Sequence, residues 1–155
     1  MAEVVGALGA DVVFTSRSPK PDAVGEQVEL SELLARADIV SLHLPLAPNT
    51  ERIIDADAIA SMRDGAILVN TGRGGLVDED ALIRALADGK IAAAGLDAFV
   101  DEPIKVDSKL LELDNVVLTP HTAWFTPETL RRSADVVIEN IRRLDAGEAL
   151  LHRVV

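Results

Sequence analysis

The sequence contains no cysteine. That removes disulfide frameworks, thiolate metal sites and cysteine nucleophiles, and it is compatible with a reducing compartment. Aromatic residues make up only 3%, too few for the stacked platforms that grip single-stranded nucleic acid. Basic side chains are also scarce: 15 Lys and Arg against 26 Asp and Glu give a formal net charge of -11. An acidic surface repels phosphate backbones and anionic lipid, so neither nucleic acid nor membrane is an expected partner. No apolar run approaches the ~18 residues needed to span a bilayer. Met1 is followed by Ala2 and Glu3 rather than by a basic segment and an apolar stretch. No signal peptide is therefore expected, and the expected location is the cytosol.

What remains is an ordinary globular composition, 48% apolar and 26% charged over 155 residues, enough for one sizeable core. Short apolar runs alternate with amphipathic stretches. A helix is expected over Glu3 to Leu8, with Gly9 as its stop, followed by a strand at Val12 to Phe14. Leu30 to Ala37 reads as a helix with Ser31 as a cap, and Ile39 to Leu44 as a buried strand. Asp55 to Met62 is a further helix, followed by the apolar run Ala66 to Val69. Asp78 to Asp88 carries Leu82, Ala85 and Leu86 at helical spacing, with acidic residues in its first turn. Ile91 to Leu96 and Val116 to Leu118 are strand-like, and a long helix is expected from about Pro127 to Leu144, with Pro127 in its first turn. About five strands alternating with helices predict an α/β fold with a mostly parallel sheet, its strands buried on both faces.

In open α/β sheets ligands bind beyond the carboxyl ends of the strands. Here those ends carry Ser16-Arg17-Ser18, His43-Leu44-Pro45, Asn70-Thr71-Gly72-Arg73-Gly74, Asp97 to Pro103, and Thr119-Pro120-His121. Arg73, in a glycine-flanked loop, can approach a ligand closely and offer a planar fork to a carboxylate. Taken singly, a solvated loop arginine, a surface Glu102 and a histidine at 121 held by backbone explain these residues equally well. Taken together they suit acid–base chemistry: a glutamate beside a histidine stabilises its protonated form. Arginine with such a pair suits reduction of a carbonyl beside a carboxylate. His43 and His152 lack a comparable setting and on their own read as structural. Glu128, Arg131 and Arg132 read as a solvated helix face, and no metal site is expected.

These segments resemble the NAD(P)-binding domain of the D-isomer-specific 2-hydroxyacid dehydrogenases, a group containing glyoxylate/hydroxypyruvate reductases and glycerate and D-3-phosphoglycerate dehydrogenases. The resemblance rests on Leu42-His43-Leu44-Pro45-Leu46 with Thr50, Val69 to Gly74 with Val77-Asp78-Glu79, Gly95 to Phe99 with Glu102-Pro103, and Thr119-Pro120-His121. It implies a Rossmann-type, three-layer parallel sheet. It also implies that Arg73 binds the carboxylate of a 2-oxo acid, that His121 exchanges a proton with the substrate oxygen, and that Glu102 orients and charges His121. Thr71 and Asp97 look like contacts to the nicotinamide end of the cofactor, and the resemblance puts His43 and Pro45 among cofactor-binding positions too. A small 2-oxo or D-2-hydroxy acid substrate and a homodimer are the expected partners. His121-Thr122-Ala123-Trp124 is similar to the variant in glycerate dehydrogenases and in C-terminal-binding corepressors. A non-catalytic, nucleotide-sensing interaction module is therefore the alternative reading.

Two departures from the family pattern matter. NAD-using members carry an acid at the end of the second strand to hold the ribose hydroxyls. Here Ser16, Arg17 and Ser18 stand there, and arginine beside hydroxyls suits a 2′-phosphate, so NADP is favoured over NAD. Secondly, no G-x-G-x-x-G occurs: Gly72-Arg73-Gly74 is followed by Val77 where the third glycine would stand. The expectation is a Rossmann domain over 1–146 lacking its first strand and glycine-rich loop, a tail over 147–155, and no N-terminal substrate domain. On that expectation Met1 is an internal methionine of a longer protein, and the isolated chain has negligible activity. The second strand of the fold, at 12–15, is expected to close against the fourth, or another copy to fill the gap.

Overall fold

Parallel pairing alone organises the strands of the computed structural model, which describes residues 1–154. The chain falls into two compact units, Met1–Pro120, which holds all of the described strands, and a second beginning at His121. In the first unit the order is α1 (Ala2–Ala7), β1 (Val13–Phe14), β2 (Glu26–Gln27), α2 (Leu30–Arg36), β3 (Ile39–Leu42), α3 (Ala56–Ser61), β4 (Ala66–Asn70), α4 (Glu79–Ala87), β5 (Ile91–Leu96) and β6 (Val116–Leu118). Strands β3-β4-β5-β6 form one four-stranded sheet, and β1-β2 form a separate two-stranded one. The α/β class and the parallel sheet are as the sequence predicts.

Register explains where the core sits. Val40, Leu68 and Ala94 lie side by side across the sheet, as do Leu42, Asn70 and Leu96, and all six are buried. Leu76, Leu82, Leu86, Ile59 and Met62 join the same cluster, with α3 and α4 supplying the covering layer. Aspartate caps start both of these helices: Asp55 accepts from the Ala58 amide at 2.8 Å and Asp78 from that of Ala81 at 2.9 Å. Each such cap stabilises by about 1 kcal/mol.

Burial on both faces of every strand is not what folds. The opposite row, Ile39, Ser41, Ile67, Val69 and Gly95, is partly or fully exposed, Ile39 by 61%. Successive strand residues point to opposite faces, and α1 has no buried residue with which to cover this one. Nor does β1 close against any strand of the larger sheet: the four-stranded order begins at β3, and β1 pairs with β2. With two residues, β1 offers too few ladder bonds to bridge such a gap. Strand β2 itself was invisible in the sequence, because Glu26 and Gln27 are both exposed and polar. Its close approach depends on Gly25, at φ +107°, where a Cβ would lie 2.6 Å from the Val12 carbonyl oxygen. Ser31 is not a cap either: the helix already begins at Leu30, after an extended Glu29.

The second unit is built on α5 (Pro127–Asp145), with Pro127 in its first turn and Thr126 as its cap. Residues after it fold back: the Asn140 side chain accepts from the Leu151 amide at 2.7 Å and donates to the Leu151 carbonyl at 3.3 Å. Arg143 donates to the Ala149 carbonyl at 3.0 Å.

Candidate functional site

The sharp turn after β4 is held by its own strand-end residue. Asn70 is 1% exposed; its Oδ1 accepts from the Gly72 amide at 3.0 Å and its Nδ2 donates to the Arg73 carbonyl at 2.9 Å. A buried amide is costly unless paired, and here both ends are paired by the loop it shapes. Arg73 is presented in extended backbone just before a 3₁₀ turn, Gly74–Leu76, with its Nη1 donating to the Gly72 carbonyl at 2.7 Å. Arg73 and Thr71 are both exposed. The backbone at Ile54 and Asp78 clamps the far side of the turn: Ile54 N–H donates to Leu76, and Asp78 N–H donates to Ile54.

A second loop meets the first at glycine. A Cβ on Gly74 would lie 2.0 Å from the Phe99 carbonyl carbon, so only hydrogen fits where the Arg73 loop crosses the backbone at Phe99 and Val100. In that second loop Glu102 Oε1 accepts from the Phe99 amide at 3.0 Å, and the Glu102–Pro103 peptide is cis. The structure thus brings the Arg73 turn and the Glu102 turn into contact through Gly74 and Phe99. Just behind them Asp97, 2% exposed, accepts a 2.6 Å hydrogen bond from Thr119 Oγ1. The Asp97 amide donates to the Asn70 carbonyl and the Thr119 amide to that of Leu96. One chain of bonds therefore ties the ends of β4, β5 and β6.

His121 opens the second unit. It is half-buried and sits at φ +54°, a left-handed backbone uncommon outside glycine and favoured at functional positions when it persists. Its carbonyl accepts from Trp124 Nε1 at 3.0 Å, which fastens the turn that presents it.

Of the remaining sequence-derived residues, His43 and Pro45 follow β3 and Ser16 to Ser18 follow β1. His43 is exposed, its Nε2 2.9 Å from the Ser41 hydroxyl, and the nearby Pro45 carbonyl accepts from Thr50 Oγ1 at 2.8 Å. Ser16, Arg17 and Ser18 follow β1 and are all exposed. Ser16 Oγ donates to the Ser18 carbonyl at 2.6 Å and accepts from Gln27 at 3.1 Å. His152 is exposed at φ +55°. The exposed faces of Glu128, Arg131 and Arg132 match their reading as solvated. Sequence reasoning passed over Asn70, Thr119 and Gln27 as working residues. The place of Asn70 in a core row was the available signal, because a polar residue closing an apolar strand needs partners. Nothing local marked the other two. Among the described residues no group of three His, Asp or Glu could hold a metal ion, and no helix is long and apolar enough to cross a membrane.

Comparison with known proteins agrees with this arrangement. Residues 1–123 match the family model for the NAD binding domain of D-isomer specific 2-hydroxyacid dehydrogenases. Hydroxypyruvate reductase from Blautia hydrogenotrophica is 40% identical over 148 residues, covering 94% of this chain and 46% of the relative. A D-isomer specific 2-hydroxyacid dehydrogenase from Xanthobacter autotrophicus Py2, in complex with NADPH and MES, superposes with a TM-score of 0.84 at 40% identity. It covers 99% of this chain and 64% of that one. D-lactate dehydrogenase with NAD+ from Lactobacillus jensenii gives a TM-score of 0.90 at 37% identity, covering 99% and 51% respectively. The chain thus spans roughly half of the hydroxypyruvate reductase and D-lactate dehydrogenase chains and somewhat more of the third. A Rossmann-like parallel sheet, strand-end loops in the family's order and identities of 37–40% lead to one assignment: the chain belongs to the D-isomer-specific 2-hydroxyacid dehydrogenase family, within its NAD-binding domain.

Proposed function

We propose that this chain supplies the cofactor side and the acid–base group of an enzyme interconverting a small 2-oxo acid and its D-2-hydroxy acid, with NADP(H) preferred over NAD(H). The observation that carries the reading is the contact of the Arg73 turn with the Glu102 turn through Gly74 and Phe99. With Arg73 and Glu102 on neighbouring loops, that contact supports their reading as a carboxylate-binding cation and the partner of an acid–base group. Arg73 grips the substrate carboxylate with its planar fork. His121 gives a proton to the carbonyl oxygen during reduction and takes it back during oxidation, and Glu102 acts through His121 by favouring its protonated form.

The residues present fit a nicotinamide cofactor at two ends. Thr71 and Asp97 serve the nicotinamide end, with Asp97 fixed by its bond from Thr119. His43 and Pro45 line the approach after β3. Arg17 with Ser16 and Ser18 serves the adenosine end, where a cation and hydroxyls suit a 2′-phosphate and the loop carries no carboxylate to repel it. When bound, the cofactor supplies or accepts the hydride. No glycine-rich phosphate loop occurs in these 155 residues, so this chain offers no helix N-terminal cradle of that kind for a pyrophosphate.

The same reading has the enzyme cytosolic and homodimeric, with a Rossmann part over 1–146, a tail over 147–155 and the substrate domain outside this chain. The charge of -11 supports a small-molecule partner over nucleic acid or membrane. By itself the 155-residue chain is expected to turn over glyoxylate or hydroxypyruvate with NADPH far below ~1–10³ per second.

The catalytic assignment is tested by exchange. The matching region of the Blautia hydroxypyruvate reductase is replaced by this chain, and turnover of hydroxypyruvate with NADPH is measured. His121→Gln is expected to lower kcat by ~10²–10⁴, and Arg73→Met to raise KM for the acid with little change in nucleotide affinity. An active hybrid that keeps its rate with both substitutions would overturn the assignment. At least tenfold tighter binding of NAD than of NADP would defeat the cofactor preference alone.

A further inference from the structure

The loop proposed to read the 2′-phosphate is shaped by a side chain from another strand. Gln27, on β2, sits opposite Phe14 in the parallel pair with β1. From there its amide reaches the loop that follows β1 in four places. Nε2 lies 3.2 Å from the Ser16 carbonyl, 3.1 Å from Ser16 Oγ and 3.3 Å from the Ser18 carbonyl. Oε1 accepts from the Lys20 amide at 3.0 Å. The orientation of the amide is dictated by its partners: the Lys20 N–H can only donate, and the two carbonyls can only accept. Ser16 completes the frame by donating to the Ser18 carbonyl at 2.6 Å. Its hydroxyl is therefore turned onto the loop, whereas the Arg17 and Lys20 side chains are exposed.

We propose that Gln27 is a specificity-determining positioning residue. It holds the Ser16–Lys20 loop in the one shape that puts Arg17, Ser18 and Lys20 around a phosphate on the ribose 2′-oxygen, with Ser16 as part of the frame. The proposal rests on the NADP reading given above. Physically, a loop of five exposed residues would otherwise lose its conformational freedom when the ligand binds. Gln27 removes that freedom beforehand, and the gain applies only to ligands whose phosphate touches the loop. Strand β2 has no apolar side chain to contribute, so a role in core packing does not account for this residue. Gly25 is the enabling neighbour: its positive φ, with no room for a Cβ, lets β2 run close enough for the Gln27 amide to reach across.

The test uses the 155-residue chain with two probes that differ only at the 2′ position, adenosine 2′,5′-bisphosphate and 5′-AMP. Affinities are measured by calorimetry for the parent, for Gln27→Met and for Gln27→Glu. Methionine keeps the length and removes every hydrogen bond. Glutamate keeps an acceptor for the Lys20 amide but sets a carboxylate against two carbonyls. The parent is expected to favour the bisphosphate at least tenfold. Both variants are expected to lose roughly three- to tenfold of that preference, the scale of one or two hydrogen-bonded contacts, while 5′-AMP affinity stays put. Circular dichroism melts should be unchanged, since Gln27 is exposed. A parent without preference for the bisphosphate sinks the NADP reading and this proposal with it. A selective parent whose variants stay equally selective overturns the role of Gln27 and leaves the NADP reading standing. Equal loss for both probes also overturns it, because a merely structural residue would act on both.

Discussion

At Gly74 a single hydrogen atom is all that separates two loops, since a Cβ there would lie within 2.4 Å of three backbone atoms of Phe99 and Val100. Neither segment can retreat freely: the Arg73 turn is anchored by buried Asn70 and the other by β5. Gly74→Ala is therefore expected to destabilise by ~1–3 kcal/mol or more, the usual range for overpacking, read as a lower urea midpoint. Gly95→Ala is the control, because the nearest side-chain atoms to its Cβ are those of Val69 at 4.0 Å. Equal midpoints for the two variants would show that the loops yield. Thr119 matters on the same scale. Its hydroxyl is a donor to the buried Asp97 carboxylate, and Thr119→Val takes that donor away at a cost of ~1–3 kcal/mol.

Helix α5 carries a carboxylate held well below its ordinary range, so its last turns should respond to pH. Glu139 sits between two arginines on its own helix, 2.9 Å from Arg142 and 2.7 Å from Arg143. Their hydrogen bonds, that from Arg142 foremost, hold its carboxyl down at about 2 from the usual 4.5. Arg142 also pairs with Glu148 at 2.9 Å, so the residues after the helix are tied to the same cluster. A depressed carboxylate pKa gives stability that is whole above the unfolded value and is lost as pH falls through the folded one. The window here is about pH 4.5 down to about 2. Protection of the Glu148 and Leu151 amides, taken as the exchange rate relative to that of an open amide at the same pH, is expected to fall across that window. In Glu139→Gln it should be low already at neutral pH. Unchanged protection between pH 5 and 2 in the parent would rule the cluster out as the tether. Salt weakens such half-exposed pairs, so the effect should shrink at high ionic strength.

Over the whole first unit, stability should follow the split between the two sheets. Strands β4 and β5 are paired on both sides and contain Ala66, Leu68, Ile91 and Ala94, each at most 3% exposed. Strands β1 and β2 have two residues apiece and no buried side chain. Local opening is cheapest where few buried contacts hold the backbone. Native-state hydrogen exchange is expected to leave the β4 and β5 amides slowest by several orders of magnitude, with Glu26 and Val28 among the fastest. Comparable protection in both sheets would mean that something binds β1 and β2 more firmly than their contacts indicate. This split bears on the proposed function, since the loop proposed for the 2′-phosphate follows β1 in the two-stranded sheet.

The apolar runs at Ile39, Ala66 and Ile91, the helical spacing and acidic first turn after Asp78, the short stretch from Asp55 and the Pro127 start were sufficient in the sequence to place β3 to β5 and helices α3 to α5, because periodicity and first-turn preferences are local properties of the chain. The strand-end loops holding Arg73, Asp97, Glu102 and His121 were equally legible, since each follows such a run directly. Packing alone decided the rest. Gln27 and Thr119 act on residues 11 and 22 positions away, and the fit of Gly74 against Phe99 is a distance between loops that no local pattern encodes. The exposed row from Ile39 to Val69 is likewise set by which elements cover the sheet, and an apolar run reads the same whether one of its faces is covered or both.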